Sequence, residues 1–236
     1  MPVRLRCDVA EIIDHGEAVY SLLLRPERPA PRFLPGQFLH LAIDDYQPGD
    51  FWPDSRPFSI ASPPEQRDRL RLTYAVKGVF TARMQAELRP GASVWVKLPY
   101  GEFTVRPDNP ACLLAGGTGV TAFTAFLSGL PTAHPHPVWL FYGARRPDLL
   151  IYRPQVEAAA AACPALQVRC LSEEAAAAGI IPGRLDLDLV WREASLEHQP
   201  DFRFYLSGPP GMLQSLAASL RERGVPPERI LTDAWE

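Results

Sequence analysis

Ala111-Cys112-Leu113-Leu114-Ala115-Gly116-Gly117-Thr118-Gly119-Val120-Thr121-Ala122 is a short apolar run that breaks on glycines and then turns apolar again. Such a run is consistent with a strand buried on both faces, and the glycines mark a turn into a helix. The stretch from Ala111 to Leu130 carries no charge and is long enough on paper to cross a bilayer. It also holds Gly116, Gly117, Gly119, Gly129 and three threonines, and the first glycine pair interrupts it early. A buried strand, a turn and a buried helix explain it, and a membrane span does not.

Downstream the same grammar repeats. Val138 to Tyr142 is a second apolar run, followed by Gly143 and a helical stretch near Pro154 to Ala162. Leu166 to Leu171 and Phe202 to Leu206 read as further strands, and Met212 to Arg223 as a helix. Strands alternating with helices predict an α/β domain with a parallel sheet.

Upstream, residues 3 to 98 alternate with the two-residue period of strands. Leu70, Leu72, Tyr74 and Val76 share one phase, and Val94, Val96 and Leu98 repeat it, as do Gln37 to Ile43 and Tyr20 to Arg25. Leu34-Pro35-Gly36, Gln47-Pro48-Gly49 and Arg89-Pro90-Gly91 punctuate these runs. This pattern predicts a closed antiparallel β-barrel. Residues 80 to 89 form one expected helix within it, with Phe80, Met84 and Leu88 on a single face. Two domains follow, 1–106 and 107–236, joined at Arg106-Pro107-Asp108-Asn109-Pro110. No internal repeat is visible.

The composition bounds the function. The chain has 236 residues, enough for a sizeable core in one or two domains, with 47% hydrophobic and 22% charged residues. A net charge of −3 predicts no nucleic-acid footprint, which needs a basic patch or stripe. Cys7, Cys112, Cys163 and Cys170 contain no C-x-x-C, so they read as reduced, packed thiols of a cytoplasmic protein and not as ligands of a ferredoxin-type cluster. Arg4, Arg6 and Asp8 interrupt any apolar leader. His134-Pro135-His136 lacks a nearby third ligand and reads as a proline-rich loop, so no metal is expected. The alanine runs at 158–162 and 175–178 read as helix filler.

Three motifs carry chemistry. Arg56-Pro57-Phe58-Ser59 places a cation, an aromatic ring and a hydroxyl on extended chain, where a flavin and its phosphates could be held. Gly117-Thr118-Gly119-Val120-Thr121-Ala122 fits G-x-G-x-x-G/A directly after an expected strand, offering bare N–H groups to a pyrophosphate. The ribose-binding carboxylate expected after the second strand of a standard unit is replaced by Gly143-Ala144-Arg145-Arg146. The second half therefore binds a nucleotide in another way, or binds none. Ser207-Gly208-Pro209-Pro210-Gly211-Met212 fits a ligand turn at a sheet's carboxyl edge and a plain helix-start turn equally well.

Taken in order and spacing, these motifs resemble the ferredoxin–NADP⁺ reductase superfamily over nearly the whole chain. Leu34-Pro35-Gly36-Gln37-Phe38 before the first and Pro99-Tyr100-Gly101-Glu102-Phe103 after it add to the likeness, with Tyr142-Gly143 in the second half. The resemblance implies an FAD-binding barrel followed by a nicotinamide-nucleotide domain. Arg56 would pair with the FAD pyrophosphate, Phe58 would lie against the flavin, and Ser59 would donate toward flavin N5. Gly78-Val79-Phe80-Thr81 would be the second pyrophosphate element, and Pro57, Tyr74 and Val76 would complete the flavin site. The presence of the Gly78-Val79-Phe80-Thr81 element favours held FAD over free flavin as substrate.

Gly116, Gly117, Thr118, Gly119, Gly143, Arg145, Ser172, Glu173, Gly208, Pro209, Pro210 and Met212 would hold NADH or NADPH. Ser207 stands where many relatives carry a cysteine, and Asp233 and Trp235 loosely match an acidic residue and an aromatic near the flavin, with Trp235 over its face. These three and Ser59 are the candidate catalytic residues. Relatives that select NADPH often show Ser-Arg where this chain has Ser172-Glu173-Glu174, whose carboxylates favour NADH by like-charge repulsion of a 2′-phosphate, with Arg145 and Arg146 arguing the reverse. The implied activity is an FAD-dependent NAD(P)H oxidoreductase that passes electrons to a ferredoxin, an oxygenase, a cytochrome or free flavin. The alternatives are an electron-transfer subunit of a larger complex and a flavin reductase that releases its product.

Overall fold

The computed structural model describes residues 2–47, 49–106, 108–174, 177–196 and 201–233. The chain divides into two compact units, Met1–Thr104 and Val105–Glu236.

The first unit runs β1 (Val3–Asp14), β2 (Val19–Pro26), β3 (Phe38–Ala42), β4 (Arg56–Ser59), β5 (Leu70–Ala75), α1 (Val79–Glu87) and β6 (Ser93–Tyr100). The order in the sheet is β4-β3-β6-β1-β2-β5, and the neighbours are antiparallel. The end strands β4 and β5 are drawn together just past β4, where the Ala61 N–H donates to the Arg71 carbonyl at 2.8 Å. The sheet is thereby a nearly closed barrel. Its inward positions are those the two-residue period selects: Leu5 pairs with Val96, Leu22 with Leu72 and Leu24 with Leu70, all fully buried. Phe80, Met84 and Leu88 carry one face of the α1 segment into the same core. The motifs flanking the flavin candidate also meet, for the Gln37 amide donates to the Gly101 carbonyl at 3.0 Å and Phe38 stacks on Tyr100 at 5.5 Å.

The second unit runs β7 (Ala111–Gly116), α2 (Thr121–Ser128), β8 (Val138–Ala144), α3 (Arg153–Ala162), β9 (Leu166–Ser172), β10 (Ile180–Pro182), α4 (Leu187–Glu193), β11 (Arg203–Ser207), α5 (Pro210–Glu222) and β12 (Ile230–Thr232). Its six described strands are parallel in the order β10-β9-β8-β7-β11-β12. Every residue of β7 is buried, as is nearly all of α2, which is why this stretch is apolar without a polar stripe. Among the described residues no helix is long and apolar enough to cross a membrane.

The second alanine run departs from expectation. Ala177 bridges Ile180, and Ala178 lies in a turn whose carbonyl accepts from Arg153 Nη2 at 3.0 Å. A tertiary hydrogen bond and a strand pairing override the helical propensity of alanine there. Ala175 and Ala176 lie outside the described residues.

Candidate functional site

Closing the barrel brings two separate motifs of the first unit together. Arg56, Pro57, Phe58 and Ser59 form β4, held in register by Leu41, His40, Leu39 and Phe38 of β3. The Arg56 guanidinium lies 5.1 Å over the ring of Phe80, which belongs to the first turn of α1. A cation thus stands at the positive end of a helix dipole. That helix start carries no acidic residue, Gly78 before it has no side chain, and a Cβ placed at Gly78 would meet nothing within 4 Å. Val79 is 82% exposed beside it. The Thr81 hydroxyl accepts from the Lys77 and Gly78 N–H groups at 2.9 and 3.1 Å and donates to the Gly78 carbonyl. Thr81 therefore shapes the turn, and the backbone N–H groups of the first turn are what it offers an anion.

The ring wall follows. Phe58 and Tyr74 meet edge to face at 6.1 Å, and Tyr74 lies 5.7 Å from Tyr20. Burial, with smaller contributions from Tyr20 and Asp14, pushes the Tyr74 phenol up to about 12, so it stays neutral. Val76 continues the same edge, its N–H donating to the Ala18 carbonyl at 2.9 Å. Ser59 is half-buried, and among the described residues its hydroxyl makes no hydrogen bond.

In the second unit the strand order decides the site. From β7 the chain moves outward through β8, β9 and β10, then returns to β11 on the other side of β7. Open α/β sheets bind ligands at the carboxyl edge of such a reversal. Register places Gly116 beside Gly143, Ala115 beside Ser207 and Ala144 beside Ser172, so the predicted residues share that edge. The two glycine turns pack backbone against backbone there. A Cβ at Gly119 would sit 2.4 Å from the Ser207 carbonyl oxygen, one at Gly116 2.7 Å from Met212 Sδ, and one at Gly208 2.6 Å from Met212 Cε. By contrast Gly117, at φ +55°, has nothing within 4 Å and opens to the edge. The Ser207 hydroxyl donates to Asp233 Oδ2 at 2.9 Å, both residues buried, and the Asp233 N–H donates to the Leu206 carbonyl. Trp235 lies outside the described residues.

Farther along the edge, Arg145 pairs with Glu174 at 3.1 Å and Arg184 pairs with Glu173 at 2.8 Å. The buried Ser172 hydroxyl donates to the Arg145 carbonyl at 3.3 Å.

Residues 113–218 match the family model described as an oxidoreductase NAD-binding domain. The chain is 34% identical over 220 residues to a probable dihydroorotate dehydrogenase B (NAD(+)), electron transfer subunit, of Methanopyrus kandleri, covering 93% of this chain and 75% of that one. The chain belongs to the ferredoxin–NADP⁺ reductase superfamily. It is an NAD(P)H-dependent oxidoreductase of a superfamily whose members pair FAD with a nicotinamide nucleotide. It is also 27% identical to the reductase component of propane 2-monooxygenase of Mycolicibacterium smegmatis, over 98% of this chain and 67% of that one, and spans 63% of the corresponding Rhodococcus jostii component. The FAD/NAD-binding domain of nitric oxide dioxygenase from Vibrio cholerae superimposes with a TM-score of 0.81 at 21% identity, covering 97% of each chain, which shows the shared fold.

The donor sets of this reductase fit both cofactors. A cation, an unfilled helix start, an aromatic wall and an unbonded hydroxyl suit a flavin with its phosphates. The carboxyl edge around Gly117 suits a nucleotide. Gly116, Gly119 and Gly208 are needed for the packing of the two turns on each other, a role the motif alone does not reveal. Pro209 precedes α5 as its cap and Pro210 begins it, and Pro209 Cδ would lie 3.0 Å from a Cβ at Gly116. Thr118 is half-buried, its carbonyl accepting from the Thr121 hydroxyl at 2.8 Å.

Gly119→Ala forces a carbon into the Ser207 backbone, so we expect a loss of about 1–3 kcal/mol or more in stability together with weaker nucleotide binding. Gly211→Ala, in the first turn of α5 with nothing within 4 Å of the new carbon, is the control and should hold or slightly raise the unfolding midpoint. Thermal unfolding of both variants checks this, and equal midpoints would show that the turns yield to each other.

The sequence reading missed two residues. Asp54 pairs with Arg56 at 2.5 Å, and Arg184 holds Glu173. Charge beside a motif was the available signal for each. The four cysteines are free and buried, with burial raising the Cys7 and Cys112 thiols and pushing Cys170 up to about 11. Those three therefore stay protonated at neutral pH and offer no thiolate. Among the described residues no group of three or more His, Cys, Asp or Glu gathers to hold a metal ion.

Proposed function

We propose that this chain takes electrons from NADH or NADPH onto FAD and delivers them to a separate acceptor protein. The observation that carries this is the meeting of Arg56 with the start of α1, since two motifs far apart in sequence converge on one anion site. When bound, FAD supplies the redox chemistry, accepting an electron pair from nicotinamide and handing electrons on. In this reading Arg56 and the first N–H groups of α1 hold the pyrophosphate. Phe58 and Tyr74 border the ring, and Ser59 donates toward N5. In the second unit, Gly117 lets the backbone approach the nucleotide phosphates, and Ser207, oriented by Asp233, stands at the nicotinamide end.

A relative named as the reductase component of a propane 2-monooxygenase supports a protein partner. The relative named as an electron transfer subunit favours a second reading, in which this chain serves a larger complex. Four free, buried thiols agree with a reducing compartment, and we place the protein in the cytoplasm.

The nucleotide preference follows from the carboxyl edge. Glu173 and Glu174 oppose a 2′-phosphate, but each already neutralises an arginine, Arg184 or Arg145. Exposed pairs of this kind are worth only about 0.2–1 kcal/mol, so NADH should be preferred by no more than about tenfold in kcat/KM. Glu173→Gln leaves Arg184 without its carboxylate and should move the preference toward NADPH. Anaerobic titration of FAD-loaded protein with each nucleotide tests the function, and steady-state kinetics with both tests the preference. Bleaching of the flavin absorbance by neither nucleotide would overturn the function, while a strong NADPH preference in the unaltered protein would overturn the role given to the glutamates.

A further inference from the structure

Arg56 already holds a carboxylate on one face of its fork. Its Nη1 contacts Asp54 Oδ1 at 2.5 Å and the Ser55 carbonyl at 2.8 Å, while its guanidinium lies over Phe80 at the start of α1. Asp54 is the carboxylate that an anion must displace or share the guanidinium with. Arg83, the arginine of α1, is held by Asp44 at 2.6 Å and Glu87 at 2.9 Å, so it is not available to Asp54 in place of Arg56.

We propose that Asp54 sets the phosphate selectivity of the flavin site by holding Arg56 through Nη1, so that a flavin phosphate must displace it or share the guanidinium with it. The inference rests on the reading of Arg56 as the pyrophosphate residue. A phosphate arriving at Arg56 either exchanges with the Asp54 carboxylate or shares the guanidinium with it as a like charge, and both lower its affinity. Riboflavin, which has no phosphate, has no reason to break the pair. Asp54 therefore acts on FAD and FMN and leaves riboflavin alone. Its side chain is 57% exposed and that of Arg56 49%, so the carboxylate can swing into water, and the penalty is moderate and sensitive to salt. A cofactor held against an internal competitor exchanges more readily than one held by Arg56 alone.

Calorimetric titration with FAD and with riboflavin separates the possibilities, using the full chain, Asp54→Asn, Arg56→Ala and the double variant, with thermal unfolding as the folding control. Asp54→Asn should tighten FAD by about two- to tenfold, more at low salt, and leave riboflavin affinity unchanged. The gain should vanish on the Arg56→Ala background, because there is no guanidinium left to release. If Arg56→Ala weakens FAD but Asp54→Asn does not tighten it, or tightens riboflavin equally, the role of Asp54 is overturned and that of Arg56 stands. If Arg56→Ala leaves FAD affinity unchanged, the pyrophosphate reading itself falls, and the proposal with it.

Discussion

Arg56→Ala should weaken FAD binding by about tenfold to a hundredfold, the range that corresponds to losing a hydrogen bond to a charged group at about 1.5–3 kcal/mol. The loss is not larger because the guanidinium is half-exposed and already paired with Asp54, so part of its attraction for phosphate is offset before binding. Nor is it smaller, because the start of α1 offers only dipole and N–H groups, worth about 0.3–1 kcal/mol without the cation. Arg56→Lys should recover only part of the affinity, since an ammonium carries the charge but not the planar fork. Removing the guanidinium also takes a cation from the face of Phe80, a contact worth about 0.5–1 kcal/mol at an exposed site, so a small fall in unfolding midpoint accompanies the change. Calorimetry with FAD measures the first effect and thermal unfolding the second. Unchanged FAD affinity in a folded Arg56→Ala protein would remove the cation from the flavin site.

The architecture was legible because its longest elements are periodic. Leu70, Leu72 and Tyr74 alternate as a half-buried strand must, and β7 with α2 is apolar because it is buried on all sides. The three-residue strands β10 and β12 were not legible. Each is too short to show a period and exists through parallel pairing with β9 or β11. Helix α4 was missed as well, although Asp186 marks its start by accepting from the Leu189 N–H at 2.8 Å. At the site, the motifs named the residues but not their partners. Ser207 and Asp233 lie 26 positions apart and meet only because β11 and β12 are neighbours. Arg184 reaches Glu173 from the turn after β10, and Asp54 reaches Arg56 across a loop bend. No helical or strand spacing encodes the Ser207–Asp233 or Glu173–Arg184 pair, so those contacts come from the fold, whereas Asp54 stands only two positions from Arg56.

Ser59→Ala should slow reduction of bound flavin by nicotinamide by about tenfold to a thousandfold, the range for removing one preorganised donor from the place where charge develops. Ser59 is suited to that role by position. It ends β4, where pairing with Phe38 fixes its backbone, and Phe38 is itself fixed by stacking on Tyr100. The hydroxyl is half-buried and bonds to no described residue, so it can rotate toward an incoming acceptor without breaking a contact. The substitution removes one oxygen from a partly exposed side chain, so the fold and FAD affinity should change by less than about 1 kcal/mol. That separates the donor role from packing: a structural role would move the unfolding midpoint and FAD affinity along with the rate. A donor role moves the rate and the visible spectrum of the bound flavin while leaving the other two in place. Anaerobic stopped-flow reduction of the FAD-loaded variant decides between them, and a wild-type rate would show that Ser59 contributes only its place in the strand.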